Sequence, residues 1–534
     1  MNVPHSPAPT VSVVVIGYDD AAHVSDAVRS ALAQGPAVRE VIAVDDCSTD
    51  GSGALLDSLA AHEPRLTVVH REVNSGGCGT PRNDGIARAS SSYVMFLDSD
   101  DVLPPGAVDA LLGAAVTHDA QVAAGLCVRR EIPSGHETPW QPELYAKPSV
   151  VVHPTRRPRL VHDTLCVNKL YRTDFLRAHA IRFPDGRFVY EDFVFTARVL
   201  AAAPRMALVP DRVYVWHVRR AAERLSLSLD RSGIDNWQAR LDAHRQAVDI
   251  LLGASQKRLA RAARSAFLDH SLRMYARELD LRGPEYRAEW WTRTRAHLES
   301  FDTADFEAAP APGRVVGRVV LASPTPRDLP RVKEVASRPA RLLPPYARAA
   351  DGTPVWSSDL PQVTLEHLLH RPMSLLPLAV DGELRPSARG TRLRLRLHEL
   401  YGRVADAGPR TVDVELVDRR RGTVLQRRTA AFTALSEDEM WVAAVRLDLS
   451  ALGRPGTCDI RLRLHFADGS HRDTTAHAVR GRRLLRRAVV PSRRHGVLLA
   501  QPYATHSGAL ALRTAPGLRG VASVVRRRAA RLLH

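Results

Sequence analysis

The chain has 534 residues, of which 45% are hydrophobic and 25% are charged, and this length predicts about three globular domains. Its formal net charge of +17 comes from an excess of arginine, but no nucleic-acid motif or aromatic platform accompanies the charge, so no specific nucleic-acid partner is expected. No run of about 18 apolar residues, no signal-peptide pattern and no zinc or disulfide spacing among its five cysteines are present, which predicts a cytoplasmic protein without membrane spans.

Three apolar, β-branched runs open the chain, and each predicts a buried strand. They are Val11–Ile16, Glu40–Val44 and Arg65–His70. Helical patterns fill the gaps between them, at Ala21–Gln34 and Ser52–His62. Strands that alternate with helices predict a parallel, doubly wound α/β sheet.

Each of these strands ends in residues suited to ligand binding. Tyr18 follows the first strand, Asp45 and Asp46 follow the second, and a Gly-rich turn that leads to Arg82 follows the third. The carboxyl ends of parallel strands meet at one edge of an open sheet, and ligands bind there. An aromatic ring, two carboxylates and a guanidinium suit the base, ribose and diphosphate of a nucleotide.

A fourth apolar run, Tyr93–Leu97, ends abruptly in the sequence Asp98-Ser99-Asp100-Asp101. Asp98 and Asp100 are two residues apart, so in an extended chain their side chains project to the same side. A divalent ion held by one or two carboxylates and substrate phosphates is one interpretation of this pattern. The other is the start of a helix, because Asp101 and the prolines that follow it also suit capping.

Three further motifs complete a recognisable set: Asn168-Lys169-Leu170-Tyr171, Ile181-Arg182-Phe183-Pro184 and Glu191-Asp192-Phe193. With these, the stretch from about residue 11 to residue 224 resembles the family 2 glycosyltransferases, which have the GT-A fold. Departures from the family pattern are few, and none removes a group with an obvious chemical role. They are Gly17, Asp19, Cys47 and Pro81.

The resemblance implies a role for each motif residue. A nucleotide-diphosphate sugar, with a UDP-sugar expected first, would bind to Tyr18, Asp46, Asn74, Arg82, Asp98, Ser99 and Asp100. Asp100 would also hold a divalent metal, Mn²⁺ or Mg²⁺, and Asp192 would be the general base of an inverting transfer. The capped start of a helix is a compatible structural explanation for Glu191 and Asp192.

Further side chains have two interpretations each. Arg219 and Arg220 either contact the diphosphate or belong to a solvated basic loop. Asn168 and Lys169 either belong to the acceptor site, together with Glu191, or form a polar turn.

Downstream of the catalytic domain, expected over residues 8–228, the pattern changes three times. Helical spacing predicts a helical subdomain over 229–307, and frequent prolines predict an irregular linker over 308–372. Strictly alternating stretches such as Thr391–Leu397 predict an immunoglobulin-like β-sandwich over 373–480, with turns at Asp381-Gly382 and Asp468-Gly469. The remainder, 481–534, is rich in arginine and contains no acid.

This arginine-rich segment has two functional interpretations and one structural alternative. It suits contact with an anionic membrane face or with an anionic polymer acceptor, and a solvated tail is the alternative. By analogy with wall-polymer enzymes of the family, the β-sandwich would support homo-oligomers.

The sequence therefore predicts a metal-dependent, inverting and non-processive glycosyltransferase, located in the cytoplasm and peripherally at the inner face of the membrane. Its acceptor would be a cell-envelope glycopolymer or a lipid-linked precursor. Two alternatives from other classes are a nucleotide-sugar-binding scaffold without activity and a sugar nucleotidyltransferase. The intact Asp98, Asp100 and Asp192 argue against the first, and the absence of a Gly-rich loop after the first strand argues against the second.

Overall fold

The computed structural model divides into two compact units. The first contains Met1–Phe267 and Ser300–Ala308, and the second contains Leu268–Glu299 and Ala309–His534. The residues that the structure describes are 8–219, 230–387, 390–435, 440–450, 452, 456–479, 488–492, 496–505 and 507–516.

The first unit is built on one sheet of nine strands. They are β1 (Val11–Gly17), β2 (Val38–Asp45), β3 (Leu66–His70), β4 (Tyr93–Asp98), β5 (Val122–Glu131), β6 (His136–Pro139), β7 (Ser149–Val151), β8 (Lys169–Arg172) and β9 (Met206–Val218). The order is β3-β2-β1-β4-β8-β5-β9-β7, with β6 paired to β5. Strands β1 to β4 are parallel, whereas β8 is antiparallel to β4 and β5.

The central strands are apolar because helices cover both faces of the sheet. Every side chain of β1 from Val11 to Ile16 is buried. The fifteen helices of the described residues are α1 (Val24–Leu32), α2 (Ser52–Ala60), α3 (Gly79–Arg88), α4 (Ala107–Thr117), α5 (Thr173–Ala178), α6 (Glu191–Ala201), α7 (Ile234–Gly253), α8 (Lys257–Ala266), α9 (Arg273–Ala276), α10 (Pro284–Leu298), α11 (Thr303–Ala308), α12 (Ala311–Ala322), α13 (Leu329–Ala336), α14 (Glu366–Leu369) and α15 (Arg403–Ala407). None of these helices has the length and apolar character needed to cross a membrane.

The predicted helical region is present, but its helices fall into both units. Helices α7, α8 and α11 belong to the first unit, and α10 belongs to the second. A separate helical subdomain over 229–307 therefore stays a prediction.

The expectation of an irregular linker over 308–372 was wrong for its first part. Helices α12 and α13 occupy this interval. Pro310 is the N-cap of α12 and Pro312 lies in its first turn, where a missing backbone N–H costs nothing because it has no helical partner. The Ala-Pro-Ala-Pro-Gly sequence is thus the start of a helix.

The alternating stretch Thr391–Leu397 is confirmed as a strand, β13, within a β-rich region of fourteen described strands. They are β10 (Ala347–Arg348), β11 (Pro354–Val355), β12 (Val380–Arg385), β13 (Thr391–His398), β14 (Pro409–Asp418), β15 (Val424–Ala431), β16 (Thr433–Leu435), β17 (Met440–Leu447), β18 (Gly456–Phe466), β19 (His471–Thr475), β20 (His477–Ala478), β21 (Ala488–Ser492), β22 (Gly496–Ala504) and β23 (Leu510–Pro516).

These strands form two larger sheets and a small hairpin of β10 and β11. Sheet C has the order β16-β17-β13-β12-β20, and sheet D has the order β15-β14-β18-β23-β22-β21, with β19 paired to β18. An immunoglobulin-like topology stays a prediction.

One of the two predicted turns was wrong. Asp468-Gly469 lies between β18 and β19, and Gly469 has φ +81°. Asp381-Gly382 lies inside β12, and close packing rather than a turn explains the glycine. A Cβ on Gly382 would come within 2.6 Å of Ala476 Cβ.

Candidate active site

The predicted ligand-binding edge forms where β1, β2 and β4 end side by side. Gly17 is paired with Asp45 of β2, and Ile16 is paired with Asp98 of β4. The strand ends therefore bring the first three motifs of the sequence to one edge of the sheet.

The small residue at position 17 is explained by its neighbour on β4. A Cβ on Gly17 would lie 2.9 Å from the Cβ of Ser99. The backbone N–H of Ser99 donates to the carbonyl of Ile16 at 2.9 Å, and its hydroxyl donates to Asp20 Oδ2 at 2.7 Å. Ser99 is buried, so in this structure it fixes the strand ends, and its contact with a nucleotide stays a prediction.

Asp46 lies beside the end of β1, where its backbone N–H donates to the carbonyl of Gly17 at 3.0 Å. Its carboxylate accepts hydrogen bonds from the backbone and hydroxyl of Ser75, at 3.1 and 2.8 Å, and its carbonyl accepts one from Asn74 Nδ2 at 2.8 Å. Burial raises the pKa of Asp46 above its ordinary value, although the bonds from Ser75 oppose the shift. Cys47 has φ +66°, a conformation that favours glycine, which accounts for the glycine common in the family at this position.

Arg82 joins three carboxyl groups that are distant in sequence. Its Nη1 donates to Glu191 Oε1 at 2.6 Å and to Asp192 Oδ1 at 3.3 Å, and its Nη2 donates to Asp98 Oδ1 at 2.6 Å. Arg82 is almost completely buried, and its guanidinium lies 5.3 Å from the centre of the Phe183 ring. The structure thus assigns its charge to the carboxylates, whereas a contact with the nucleotide stays a prediction.

Glu191 and Asp192 occupy the first turn of α6, and both have raised pKa values. Burial and the adjacent Asp192 raise the pKa of Glu191 to about 7. Burial also raises the pKa of Asp192, against the attraction of Arg82. One guanidinium cannot neutralise three carboxylates, so this pair is poised to hold a proton near neutral pH.

Asp192 is the more accessible acid of the pair. Its side chain is 20% exposed, whereas that of Glu191 is 9% exposed. The backbone N–H of Cys166 donates to Asp192 Oδ2 at 3.3 Å. The hydrogen bonds to Asp192 from Arg82 and from the Cys166 backbone are long, and the side chain of Cys166 makes a further contact with it. A carboxylate has about four acceptor positions, so this partly exposed group can still accept from a further donor.

Asp100 and Asp101 have different surroundings although they are adjacent. Asp101 is buried and accepts a hydrogen bond from the Tyr214 hydroxyl and another from the His217 backbone, each at 2.7 Å. Asp100 is 44% exposed, and Arg219 Nη1 lies 3.2 Å from its Oδ2. Asp101 therefore anchors β4 to β9, and Asp100 faces the site.

The helix-cap interpretation of Asp101 was wrong, because α4 begins at Ala107 with Gly106 as its N-cap. Burial, followed by the carboxylates of Asp98 and Asp20, raises the pKa of Asp100 to about 6. A nearby cation would relieve that repulsion. In the described part of the chain, no three His, Cys, Asp or Glu side chains converge on a metal position, so Asp100 is a candidate for a single protein ligand.

Asn168 and Lys169 lie in a buried polar cluster. Asn168 Nδ2 donates to Asp163 Oδ2 at 3.0 Å and to the Gly125 carbonyl at 2.8 Å. Lys169 Nζ donates to Asp163 Oδ2 at 2.8 Å and to the carbonyl of Leu165. Both side chains are buried, so the cluster fixes the segment that carries Cys166, and a direct contact with an acceptor stays a prediction.

Sequence reasoning missed three contributors to this site: Asp101, Asp163 and the backbone N–H of Cys166. Asp101 was visible as the third acid after β4, but its partners lie more than a hundred residues away. Asp163 has no local signal. Arg220 lies outside the described residues.

Comparison with known proteins agrees with this geometry. The model of "Glycosyl transferase family 2" matches residues 12–179. The succinoglycan biosynthesis protein ExoO of Rhizobium meliloti is 30% identical over 269 residues, which cover 48% of this chain and 75% of ExoO. The poly(ribitol-phosphate) β-N-acetylglucosaminyltransferase TarS of Staphylococcus aureus is 30% identical over 217 residues, which cover 40% of this chain but only 36% of TarS.

A solved structure shows the same fold. The crystal structure of S. aureus TarS 1-349 in complex with UDP-GlcNAc has a TM-score of 0.52 and 20% sequence identity. The match covers 65% of this chain and 96% of that one. Since the family model fits the strand ends described above and three quarters of ExoO aligns at 30% identity, the chain belongs to glycosyl transferase family 2 and is a glycosyltransferase.

Proposed function

We propose that the enzyme transfers a sugar from a UDP-sugar to a hydroxyl group of a cell-envelope polymer, with inversion at the anomeric carbon. The observation that carries this proposal is the placement of Asp192. It lies in the first turn of α6, partly exposed, with one oxygen near Arg82 and the other near the Cys166 N–H. A carboxylate held in this way suits a general base.

The transfer is a single displacement. The acceptor hydroxyl gives its proton to an oxygen of Asp192 while its own oxygen forms a bond to the anomeric carbon. The bond from that carbon to the diphosphate breaks, and the nucleoside diphosphate leaves with the electron pair. Burial raises the pKa of Asp192 above its ordinary value, which makes it a stronger base than an ordinary aspartate, and a positioned general base contributes about 10²–10⁴-fold to the rate.

Glu191 supports this role from the other side of Arg82. Its 2.6 Å bond holds the guanidinium in place, and its charge opposes that of Asp192. We assign Glu191 to positioning, because its oxygen is engaged and its side chain is less exposed than that of Asp192.

The donor would lie along the ends of β1, β2 and β4. Tyr18 and Asp46 would hold the base with Asn74 beside them, and Asp98 would contact the ribose or the sugar. Asp100 would hold Mn²⁺ or Mg²⁺ through one carboxylate, as these ions are commonly bound together with substrate phosphates. The bound ion would supply positive charge beside the leaving diphosphate.

A second candidate ligand for the diphosphate is Arg219. It contacts both the carbonyl and the carboxylate of Asp100, so a ligand that engages Asp100 also competes for this arginine. The two contacts place the Arg219 guanidinium beside the proposed diphosphate position.

The acceptor and donor classes rest on the relatives. TarS is named for N-acetylglucosamine transfer to poly(ribitol-phosphate), and its fragment binds UDP-GlcNAc. We extend to this chain a UDP-hexose or UDP-N-acetylhexosamine donor, a wall glycopolymer or lipid-linked acceptor, non-processive transfer and a position in the cytoplasm at the inner membrane face. Homo-oligomers through the β-rich region belong to the same proposal.

Donor turnover tests this proposal. The purified chain should hydrolyse one member of a panel of UDP-sugars slowly in water, and Mn²⁺ or Mg²⁺ should be required. Asp100→Asn should weaken UDP binding with the ion present, whereas Asp26→Asn, an exposed change on α1, should not. Full turnover in excess chelator would show that the reaction needs no divalent metal. Binding of a UDP-sugar without any turnover would support a scaffold instead.

A further inference from the structure

The outer face of sheet C carries an unusual row of arginines. Leu393, Leu395 and Leu397 of β13 are buried, so the alternate residues of this strand point outward. The outward positions include Arg392, Arg394 and Arg396. Alternate residues along a strand are about 6.8 Å apart, so the strand presents evenly spaced positive charges.

The neighbouring strands extend the row across the sheet. Arg392 is paired with Arg385 of β12 on one side and with Arg446 of β17 on the other. Arg385, Arg392, Arg394 and Arg446 are all exposed. Two acids of β12 lie on the same face: Glu383 forms an ion pair with Arg385 and is paired with Arg394, and Asp381 is paired with Arg396. Like charges directly opposite each other on a sheet are unfavourable.

In sheet D of the same unit, three exposed arginines form ion pairs with acids. Arg463 donates to Asp473 at 2.6 Å, Arg427 donates to Glu415 at 2.9 Å, and Arg419 donates to Asp459 at 3.0 Å. These acids lie on adjacent strands or beside them. Sheet C differs in that Arg392 has an arginine opposite it on both neighbouring strands, and arginine bias in the composition alone does not explain this placement.

We propose that the outer face of sheet C binds a linear, phosphate-bearing polymer. Phosphates would neutralise Arg392, Arg394 and Arg446, which form no ion pair among the described residues, and guanidinium groups are well suited to phosphate. A membrane is the less favourable partner, because β12, β13 and β17 carry none of the exposed large apolar side chains that insertion requires. Binding at this face does not require catalysis, so it can be measured apart from sugar transfer.

The test compares two triple variants of the full chain. The first is Arg392→Gln, Arg394→Gln, Arg446→Gln on sheet C, and the second is Arg419→Gln, Arg427→Gln, Arg463→Gln on sheet D. Both remove the same charge. The probe is end-labelled inorganic polyphosphate, and its Kd is measured by fluorescence anisotropy over a range of salt concentrations.

We expect the sheet C variant to raise the Kd by about tenfold or more and to reduce the slope of log K against log salt by about two to three, in line with lost phosphate contacts. The sheet D variant should change the Kd by less than about threefold. The sheet C variant should be as stable to heat as the parent or more so, since it removes opposed like charges, and hydrolysis of the donor in water should be unchanged.

Equal losses in the two variants, or no loss in either, would overturn the proposal, because net charge alone or another segment would then bind the polymer. Vesicles of phosphatidylglycerol and phosphatidylcholine provide the second arm. Loss of vesicle binding by the sheet C variant with polyphosphate binding intact would replace the polymer with a membrane surface.

Discussion

The geometry of the site predicts the effect of replacing Asp192 by asparagine most directly. Asparagine keeps the shape of the side chain and one acceptor oxygen, but it cannot take the proton of the acceptor hydroxyl. We expect transfer to fall by about 10²–10⁴-fold, the usual contribution of a positioned general base. The Kd for the UDP-sugar should stay within about threefold of the parent value, since the proposed donor residues lie at or after the ends of β1, β2 and β4 and Asp192 is on α6.

The structure also predicts that Asp192→Asn folds normally. The hydrogen bonds to Asp192 from Arg82 and from the Cys166 backbone are both 3.3 Å long, so the bond that an amide forfeits there is weak, and the side chain of Cys166 stays within reach of the asparagine. The change also removes one of three carboxylates around a single guanidinium, which offsets that loss. We expect the free energy of unfolding to change by less than about 1 kcal/mol.

Glu191→Gln is the matched control, because it alters the neighbouring acid on the same turn of α6. Glutamine can still accept the bond from Arg82, so transfer should fall by less than about tenfold. The assay measures donor binding by calorimetry and transfer at saturating donor for both variants. Near-parental transfer by Asp192→Asn, or a larger loss at Glu191, would refute the assignment of the base.

Three other predictions follow from buried or perturbed charges. Since the pKa of Asp100 is about 6, metal-dependent UDP binding should weaken below about pH 6 as the carboxyl is protonated, and this acid limb should disappear in a calorimetric titration of Asp100→Asn. The raised pKa of Glu191 means that the folded state favours the protonated carboxyl group. Its contribution to stability is therefore full below about pH 4.5 and is lost as the pH rises through about 7. Between about pH 5 and about pH 8, the free energy of unfolding measured in urea should fall less for Glu191→Gln than for the parent. Lys169→Met leaves the Asp163 carboxylate buried without its cation, which should cost about 3–5 kcal/mol of unfolding free energy, whereas parental stability in the same assay would contradict the buried pair.

The fold of the first unit was predictable because its signal is local. The continuous apolar runs of β1, β2 and β4 mark strands buried on both faces, and the acids that end them mark the binding edge. The alternating apolar and polar residues of β13, β14 and β18 predicted strands equally well. Local patterns failed where a distant neighbour determines which residue fits. Gly382 is such a case, because a Cβ at this position would come too close to Ala476.

The sequence predicted candidate residues for the site, but it did not predict their contacts. Arg82 was expected near the nucleotide, yet its partner Glu191 lies 109 positions away, and nothing near Arg82 in sequence shows that three carboxylates surround it. Asn168 and Lys169 were recognised as a polar motif, and their partner Asp163 is near in sequence, but Asn168 also bonds Gly125 and Tyr145, which are 43 and 23 positions away. The prolines at the start of α12 were interpreted as a linker, because proline is found both in linkers and in the first turn of a helix, and the sequence alone does not distinguish the two.

The stereochemistry of the product tests the central claim most directly. The purified enzyme would be given the α-linked UDP-sugar that it hydrolyses, together with a phosphate-bearing wall polymer, and the anomeric configuration of the transferred sugar would be read by proton NMR. A single displacement with Asp192 as base predicts a β-linked product. An α-linked product would contradict the account.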